Sequence, residues 1–392
     1  MGQERFDVIV VGGAAIGSST ACHLAAAGFD GSVLVLEQDP SYQFCASALS
    51  AASIRQQYSS AINVDISLYG IAFLRAIGTH LAVDGERPDI ALTEGGYLFL
   101  ATAAGEAALR AANALQTARG ADIALLARPA LCDRAPWLTT SDLTLGSLGR
   151  SGEGWFDGYG LMRAFQRKAR DLGVTYRTGT AVGVEQAGGR VHAVKLADGS
   201  TIGCGAVVNA AGAGGPAFAA AAGIALPVRN KKRMIFTFTC ADPVPACPLV
   251  IDPSGVYFRP EGSGFICGTA PAPEHDPDSS DFEVDHILFD EHIWPILAHR
   301  VPAFERIRPG RAWAGHYDMN LFDQNAIIGA APGLANFYLA NGFSGHGLQQ
   351  APAVGRGLAE LIVTGSYQTL DLSPLGYDRI ARKEPLLETK VV

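Results

Sequence analysis

The stretch Phe6-Asp-Val-Ile-Val-Val-Gly-Gly-Ala-Ala-Ile-Gly17 predicts the fold of this chain more strongly than any other. Its first six residues are mostly β-branched and indicate a buried strand, which the glycines then end in a tight turn. Residues 18–27 have helical composition, and residues 32–36 predict a second strand that ends in Glu37. A strand, a helix and a strand within these 32 residues form a βαβ unit with parallel strands and a right-handed crossover.

Two glycines and one acid in this unit have the spacing of a dinucleotide-binding turn. Gly12 permits the tight turn, and Gly17 lets the helix approach the strand, so that the helix N-terminus directs free N–H groups at a pyrophosphate. Glu37 follows Gly17 by 20 residues, where its carboxylate can accept hydrogen bonds from a ribose diol. Ala14 replaces the second glycine of the common pattern, and its methyl group slightly crowds the pyrophosphate. The alternative is a glycine-rich turn in an α/β protein that binds no nucleotide.

The rest of the chain divides between two kinds of strand pattern. Parallel-type strands and helices lie towards both ends, and antiparallel-type strands lie between them. We therefore expect an α/β protein with a discontinuous Rossmann-like cofactor domain (residues 1–85, 150–225 and 311–392). The inserted α+β substrate domain (residues 86–149 and 226–310) would be built on a mixed or antiparallel sheet.

Four other segments have clear local patterns. Apolar residues recur at helical spacing over residues 60–83, and residues 281–299 predict a helix rich in acids and histidines. A glycine-rich turn, 342–350, precedes a predicted helix over residues 351–363. The chain after Ser373 is predicted to lie on the surface as a strap.

Composition argues against several functional classes. The 392 residues have a formal net charge of −8, whereas a nucleic-acid binder needs a basic face. The seven cysteines show no C-x-x-C spacing, so reduced thiols in a cytoplasmic protein are expected rather than disulfides or a zinc site. The uncharged stretch 8–29 follows acids and contains polar residues, so neither a signal peptide nor a transmembrane segment is expected. The acids Asp276, Asp278 and Asp281 lack the calcium-loop pattern, and no metal is expected.

Two later segments favour FAD over NAD as the dinucleotide. One strand ends in Asn209-Ala-Ala-Gly212, where small residues allow a ligand close to the backbone. Gly342-Phe-Ser-Gly-His-Gly-Leu-Gln-Gln350 then opens a second helix, whose positive end suits the flavin edge where negative charge develops on reduction. An NAD(P)-dependent dehydrogenase is the alternative, and it would purify as a colourless protein.

These segments, together with residues 48–58, resemble the D-amino-acid-oxidase superfamily of FAD-dependent oxidoreductases, in particular its glycine oxidase and sarcosine oxidase branch. Residues 313–318, 322–325 and 342–352 resemble more narrowly the branch of a mitochondrial FAD-dependent oxidoreductase domain protein linked to complex I assembly. The resemblance covers nearly the whole chain. It implies FAD as the cofactor and oxidation of an amine at the flavin.

The resemblance also implies which residues surround FAD. Residues 46–53 would follow the ribityl chain and ring, Val182 would contact the adenine through its backbone, and residues 345–349 would lie near the flavin N1–C2=O edge. The full implied set is Gly12, Ala14, Ala15, Ile16, Glu37, Gln38, Ala46, Ser47, Ala51, Ala52, Ser53, Val182, Ala210, Ala211, Gly212, Gly345, His346, Gly347, Leu348 and Gln349.

For the substrate, the resemblance assigns a carboxylate-binding arginine to Arg55. An arginine fork binds a carboxylate through two hydrogen bonds and stays charged when buried, although a structural salt bridge is the alternative role. Tyr257 and Arg259 lie on a predicted strand of the substrate domain, where packing or a surface pair is the alternative. The implied catalytic set is Arg55, Tyr257, Arg259, His316, Tyr317 and Gln349.

The pocket departs from the sarcosine oxidase pattern at several positions. Gln349 replaces a carboxylate-binding lysine, and the lysine credited with oxygen activation falls near Ile266. His316 or Tyr317 stands where the family has a cysteine or an arginine, so a covalent cysteinyl flavin is not expected. Rapid use of oxygen is left open.

Lys231-Lys-Arg233 has two interpretations. It is a solvated basic turn at the start of a strand, or Lys232 or Arg233 reaches the pocket and binds a second substrate carboxylate. The second interpretation, together with Arg55, would favour an iminodicarboxylate. His286, His292 and His299 are predicted to form a solvated helix face.

The expected function is FAD-dependent oxidation of a small amino acid by hydride transfer to flavin, followed by imine hydrolysis to an oxo acid and an amine. The substrates considered are sarcosine, glycine or an iminodicarboxylate, with O2 or an electron carrier as acceptor. The alternative is a flavoprotein that acts mainly as an assembly or binding factor with little turnover.

Overall fold

The computed structural model describes residues 4–388, and in this range the strands form two eight-stranded sheets and a two-stranded one. The strands are β1 (Arg5–Val11), β2 (Val33–Glu37), β3 (Ser53–Ile54), β4 (Tyr97–Ala101), β5 (Ile123–Ala127), β6 (Leu145–Gly149), β7 (Gly154–Trp155), β8 (Thr175–Thr178), β9 (Ala181–Ala187), β10 (Arg190–Leu196), β11 (Thr201–Asn209), β12 (Val228–Cys240), β13 (Leu249–Ile251), β14 (Tyr257–Glu261), β15 (Gly264–Gly268), β16 (Ile307–Asn320), β17 (Ile327–Ala331) and β18 (Leu334–Asn341). The α-helices are α1 (Ala15–Ala26), α2 (Ala46–Leu49), α3 (Ala61–Arg75), α4 (Ile77–His80), α5 (Ala103–Ala118), α6 (Arg128–Arg134), α7 (Gly158–Asp171), α8 (Gly215–Ala221), α9 (His286–Leu288), α10 (Trp294–Arg300), α11 (Gly347–Thr364) and α12 (Asp378–Ala381). Among the described helices, none combines the length and the apolar character needed to cross a membrane.

The first large sheet positions the predicted dinucleotide turn. Its main path is β17-β18-β11-β1-β2-β8, and β9 and β10 extend it from β11. The predicted βαβ unit is confirmed, and β1 pairs in parallel with both β2 and β11. Val8 and Val10 belong to one apolar core, whereas Ile9 and Val11 belong to another. Both faces of β1 are therefore covered, which explains its uninterrupted apolar sequence.

The second large sheet has the order β16-β12-β15-β14-β13-β4-β6-β5 and is antiparallel except where β13 pairs with β4. Alternate residues of its strands face opposite sides. Leu98 and Phe258 lie in a core on one face, and Tyr97 and Phe99 lie in a separate cluster with Tyr257 on the other. β16 crosses the predicted domain boundary at residues 310/311, and its whole length belongs to this sheet.

Three predicted helices differ from the structure at their ends. The helix expected over residues 60–83 is divided into α3 and α4. The helix expected from residue 281 starts only at His286, because the Asp285 carboxylate accepts the Ile287 N–H at 2.9 Å and forms the N-cap there. The last long helix begins at Gly347 rather than at residue 351, directly after Gly345 turns the chain with a φ of 88°.

The segment after Ser373 is largely exposed, as the predicted surface strap requires, but buried charged residues anchor it to the rest of the protein. Arg379 is buried and forms an ion pair with Asp323 at 2.7 Å. Glu388 is also buried, and its carboxylate accepts hydrogen bonds from the Ser59 N–H at 2.6 Å and the Ser60 hydroxyl at 3.1 Å, just before α3. The first turn of a helix lacks internal acceptors for its N–H groups and attracts an anion. This explains why the Glu388 carboxylate binds at the start of α3.

Candidate active site

The turn after β1 has a backbone that only glycine fits. Gly12 has a φ of 97°, and a Cβ atom there would lie 2.3 Å from the Ala210 carbonyl oxygen. A Cβ atom on Gly17 would lie 1.9 Å from the Gly12 carbonyl oxygen. These close approaches bring α1 and β11 against the turn, as the spacing of the two glycines predicts.

Glu37, at the end of β2, is fixed beside the same turn. Its Oε2 accepts the Gly13 N–H at 2.8 Å, and its Oε1 accepts the Asp39 N–H at 2.9 Å. The Gly13 carbonyl oxygen accepts hydrogen bonds from the Ser18 hydroxyl at 2.6 Å and the Gln166 amide at 2.9 Å. Each Glu37 oxygen has a second lone pair, so the carboxylate can still accept hydrogen bonds from a ribose diol.

A cavity of about 250 Å³ connects this turn with the start of α11. Residues from opposite ends of the sequence line it, as expected for an extended dinucleotide. The predicted site residues in its lining are Gly12, Ala14, Ala15, Ile16, Glu37, Gln38, Ala46, Ser47, Ala210, Ala211, Gly212, His316, Tyr317, Gly345, Gly347 and Leu348.

The other predicted cofactor residues lie outside this lining. Gly179, Thr180 and Ala181 line the cavity next to the position predicted for Val182, whose side chain is about half exposed. Ala51, Ala52 and Ser53 lie in the connection from α2 to β3, and the Ser53 hydroxyl accepts a hydrogen bond from Tyr97. His346 and Gln349 are buried and contact Arg55 and Tyr58 instead. Their predicted roles at the cofactor stay predictions.

Asp318 is a cavity residue that sequence reasoning missed. It lines the cavity, and its Oδ2 accepts the Gly342 N–H at 2.8 Å. Burial raises the pKa of Asp318 to about 6, although backbone N–H groups of Phe343 and Gly342 act in the opposite direction. The carboxyl group thus fixes the glycine-rich turn before α11. An acid near the end of a strand has no sequence signal for this role.

The lining suits FAD on three counts. A side chain at Gly12 or Gly17 would collide with neighbouring backbone, so a pyrophosphate at this turn would contact main-chain atoms. Glu37 supplies the acid for a ribose, and the N-terminal turn of α11 supplies free N–H groups at the other end. Among the described lining residues the one cysteine is Cys45, whose Sγ lies 3.8 Å from the Met162 sulfur.

Arg55 is buried between α11 and the second sheet. Its Nη2 lies 3.2 Å from His346 Nε2, and its guanidinium carbon lies 4.8 Å from the Tyr58 ring centre and 5.5 Å from that of Phe99. Burial, and then the charge of Arg55, lowers the pKa of His346 well below its ordinary value. Because arginine only donates, neutral His346 accepts at Nε2 and carries its proton on Nδ1.

Gln349 positions the backbone of Arg55. Its Oε1 accepts the Arg55 N–H at 3.0 Å, and its Nε2 donates to the Tyr58 hydroxyl at 2.5 Å. The amide therefore joins α11 to the segment that contains the arginine. Gln349 therefore has a structural role at a position where the sarcosine oxidase pattern has a lysine.

Glu153 is a second residue that sequence reasoning missed. It is fully buried, and its Oε1 accepts the Gln56 N–H at 2.6 Å and the Gln57 N–H at 3.2 Å. Its Oε2 accepts from the Gln57 side chain at 2.9 Å. Burial raises the pKa of Glu153 to about 7, while these hydrogen bonds and Arg55 act in the opposite direction. Glu153 thus holds the two residues that follow Arg55.

The raised pKa of Glu153 predicts a specific pH dependence of stability. The folded-state pKa lies above the ordinary value of 4.5, so the folded protein retains a proton between pH 4.5 and pH 7 that the unfolded chain releases. This contribution makes wild-type stability fall as pH rises through that window, by up to ~1.4 kcal/mol per pH unit. Glu153→Gln, which has no such proton, should lack this part of the fall. Denaturant midpoints of both proteins at pH 5 and pH 8 measure it, and parallel changes would contradict it.

Several tyrosines lie near Arg55, and Tyr97 and Tyr317 interact with its charge. Tyr97 and Tyr257 project from the same face of the second sheet, and the Tyr317 ring lies against Gly345, where a Cβ atom would be 2.3 Å from its Cε2. Burial raises the pKa of Tyr257 well above its ordinary value, and it also raises the pKa of Tyr317. These phenols therefore stay neutral at physiological pH. We call the part of the fold formed by Arg55 and these tyrosines the aromatic compartment.

Two predicted catalytic residues have strong contacts within the protein. Arg259 Nη1 pairs with Glu261, and its Nη2 donates to the Ala51 carbonyl oxygen at 2.7 Å. His316 lines the cofactor cavity, and its Nε2 donates to the Asp281 carbonyl oxygen at 2.9 Å. Arg259 therefore joins the second sheet to the segment after α2. The substrate roles of both residues stay predictions.

The structure corrects the interpretation of Lys231-Lys-Arg233 as a solvated basic turn. All three residues lie inside β12, and each pairs with one of the acids that follow β15. Arg233 binds Asp276 at 2.7 Å, Lys231 binds Asp278 at 3.0 Å, and Lys232 binds Asp281 at 2.6 Å. Strand pairing rather than sequence proximity brings these opposite charges together.

Comparisons with known proteins agree with this geometry. The sequence profile of the family "DAO: FAD dependent oxidoreductase" matches residues 7–361. "FAD-dependent oxidoreductase domain-containing protein 1" of Xenopus laevis is 42% identical over 99% of this chain and 85% of its own length. The structure of L-proline dehydrogenase from P. horikoshii has a TM-score of 0.86 and 25% identity, covering 98% of this chain and all of that one. Glycine oxidase from Geobacillus kaustophilus has a TM-score of 0.81 and 22% identity, covering 95% and 98%.

The family match covers most of the chain, and it agrees with the cavity that joins the β1–α1 turn to α11. The mixed α/β architecture with its dinucleotide-binding sheet is also that of the solved structures. The chain belongs to the DAO family of FAD-dependent oxidoreductases.

Proposed function

We propose that this protein oxidises a small amino acid that has a primary or secondary amine, such as an N-substituted glycine. The product imine would hydrolyse to an oxo acid and an amine. The observation that supports this proposal is Arg55, a buried cation 3.2 Å from His346, whose chain neighbours Gly345 and Gly347 line the cofactor cavity. A buried guanidinium is suited to one substrate carboxylate, which it can bind through two hydrogen bonds.

The protein groups have distinct tasks in this reaction. Arg55 binds the carboxylate and thereby sets the direction of the α-carbon–hydrogen bond. The neutral tyrosines exclude water and favour an uncharged amine, whose lone pair must be free as the hydride leaves. Bound FAD supplies the acceptor for that hydride. His346 accepts a hydrogen bond from Arg55 and, because its imidazole is neutral, adds no second positive charge beside the guanidinium.

The similarity to L-proline dehydrogenase supports the substrate class, because proline is an amino acid with a secondary amine. That name applies to the other protein, and this chain differs from it at three of every four positions.

The test is anaerobic reduction of the purified yellow protein. We expect sarcosine or another N-methyl or N-carboxymethyl amino acid to bleach the flavin, whereas methylamines of the same size without a carboxylate do not. Admission of air then separates an oxidase, which recovers its colour rapidly, from a dehydrogenase that needs another acceptor. Failure of every amino acid in the panel to bleach the flavin would contradict the proposal and favour a role through binding a protein partner.

A further inference from the structure

Arg233 and Asp276 form a nearly buried ion pair at the wall of the site. Arg233 Nη1 and Nη2 donate to the two carboxylate oxygens of Asp276 at 2.7 and 2.8 Å. The side chains are only 10% and 12% exposed. Both prongs of the guanidinium fork thus hold a carboxylate that belongs to the protein itself.

The pair lies on the face of the sheet that borders the aromatic compartment. The Arg233 guanidinium carbon is 5.5 Å from the centre of the Tyr317 ring, and Tyr317 lines the cofactor cavity. Across the β12–β16 register, Arg233 faces Gly315, where a Cβ atom would lie 3.0 Å from Leu49 of the cofactor side. Arg233 is therefore a second arginine next to the compartment that contains Arg55.

The segment that contains Asp276 is anchored along β12. Lys231 Nζ donates to the Asp276 carbonyl oxygen and pairs with Asp278, and Lys232 pairs with Asp281 at 2.6 Å. The Ser279 N–H also donates to the Asn230 carbonyl oxygen at 3.0 Å. These contacts of the surrounding segment, in addition to the ion pair itself, keep Asp276 beside Arg233.

We propose that Asp276 occupies the position of a second substrate carboxylate and restricts the site to amino acids with one carboxylate. A dicarboxylate bound to Arg55 would meet the negative charge of Asp276, whose carboxylate already occupies the Nη1–Nη2 edge of Arg233. Removal of that charge makes Arg233 a receptor for the second carboxylate. This inference rests on the proposed function for the use of Arg55.

The test compares sarcosine with iminodiacetate, which differs by one carboxylate on the nitrogen substituent. In Asp276→Asn, we expect the ratio of kcat/KM for iminodiacetate to that for sarcosine to rise at least about tenfold over wild type, which corresponds to ~1.4 kcal/mol. Asp276→Ser provides a second variant with a different side chain. Flavin content checks that each variant is folded.

Two controls separate the role of Asp276 from a general effect of charge. Asp278→Asn removes the same charge from the same segment but releases Lys231, and we expect its substrate ratio to match wild type. Asp276→Asn combined with Arg233→Gln should lose the gain. The proposal is overturned by an unchanged ratio in both Asp276 variants, an equal gain in Asp278→Asn, or a gain that survives loss of Arg233.

Calorimetry with thioethers distinguishes failure of this inference from failure of the proposed reaction. In thiodiacetate a sulfur replaces the oxidisable amine of iminodiacetate, and (methylthio)acetate is the matching monocarboxylate. We expect Asp276→Asn to bind thiodiacetate about tenfold more tightly than wild type does, with (methylthio)acetate little changed. This result would stand even if no amine were oxidised. Absence of tighter thiodiacetate binding in the variant would refute the role of Asp276.

Discussion

Gly12→Ala is expected to yield a colourless protein. The alanine would have to adopt a φ of 97° with its Cβ 2.3 Å from the Ala210 carbonyl oxygen, so the turn must move away from β11. A left-handed backbone alone costs ~1–2 kcal/mol, and the backbone overlap adds to that cost. We expect FAD affinity to fall at least about 100-fold. Absorbance of the purified protein and titration with FAD measure the effect.

Gly28→Ala is the matched control for this substitution. Gly28 also has a positive φ, 74°, but a Cβ atom there would have no neighbour within 4 Å. The control therefore shares the backbone strain without the overlap, and we expect it to retain FAD with a modest loss of stability. If Gly12→Ala bound FAD as tightly as Gly28→Ala does, the close approach of β1 and β11 would not be needed for the cofactor.

Arg55→Ala is expected to reduce kcat/KM for the best amino acid substrate by roughly 30- to 5,000-fold. This range corresponds to the 2–5 kcal/mol lost when one partner of a buried, hydrogen-bonded charge pair is removed. The loss should appear with carboxylate substrates only, because the arginine has no task with an uncharged analogue. Steady-state rates together with flavin content measure it.

Arg55→Lys tests whether the planar fork matters in addition to the charge. Lysine keeps a cation at the site but offers no pair of parallel N–H groups, so we expect a loss smaller than that of alanine. Equal activity of wild type and Arg55→Ala would remove the basis for the carboxylate assignment. The two variants together separate charge from geometry.

The cofactor half of the site was predictable because its determinants are local. A dinucleotide-binding βαβ unit needs glycine where backbones meet and an acid after the second strand. The spacing of Gly12, Gly17 and Glu37 alone therefore predicts the turn. Their contacts in the structure are those that the spacing predicts. The start and end points of the later helices were less predictable, since the Asp285 cap and the Gly345 turn each depend on a single residue.

The substrate half was only partly predictable. Resemblance to the family directed attention to Arg55, but no local pattern pointed to Glu153, which holds the segment after Arg55 across 97 positions of sequence. An acid next to a short strand has the same sequence appearance whether it is solvated or buried. Only the packing of the two sheets shows that Glu153 is buried and that its pKa is therefore raised.

The sequence by itself determined the cofactor class, the first βαβ unit and the location of the glycine turns, because these depend on backbone conformation over a few residues. Only the tertiary structure decided which charges meet. Arg233 and Asp276 lie 43 residues apart, and Arg55 and His346 lie 291 apart. The first pair depends on the face of β12 that Arg233 occupies, which a one-residue shift in register would reverse. The second pair depends on the packing of α11 against the segment that follows β3.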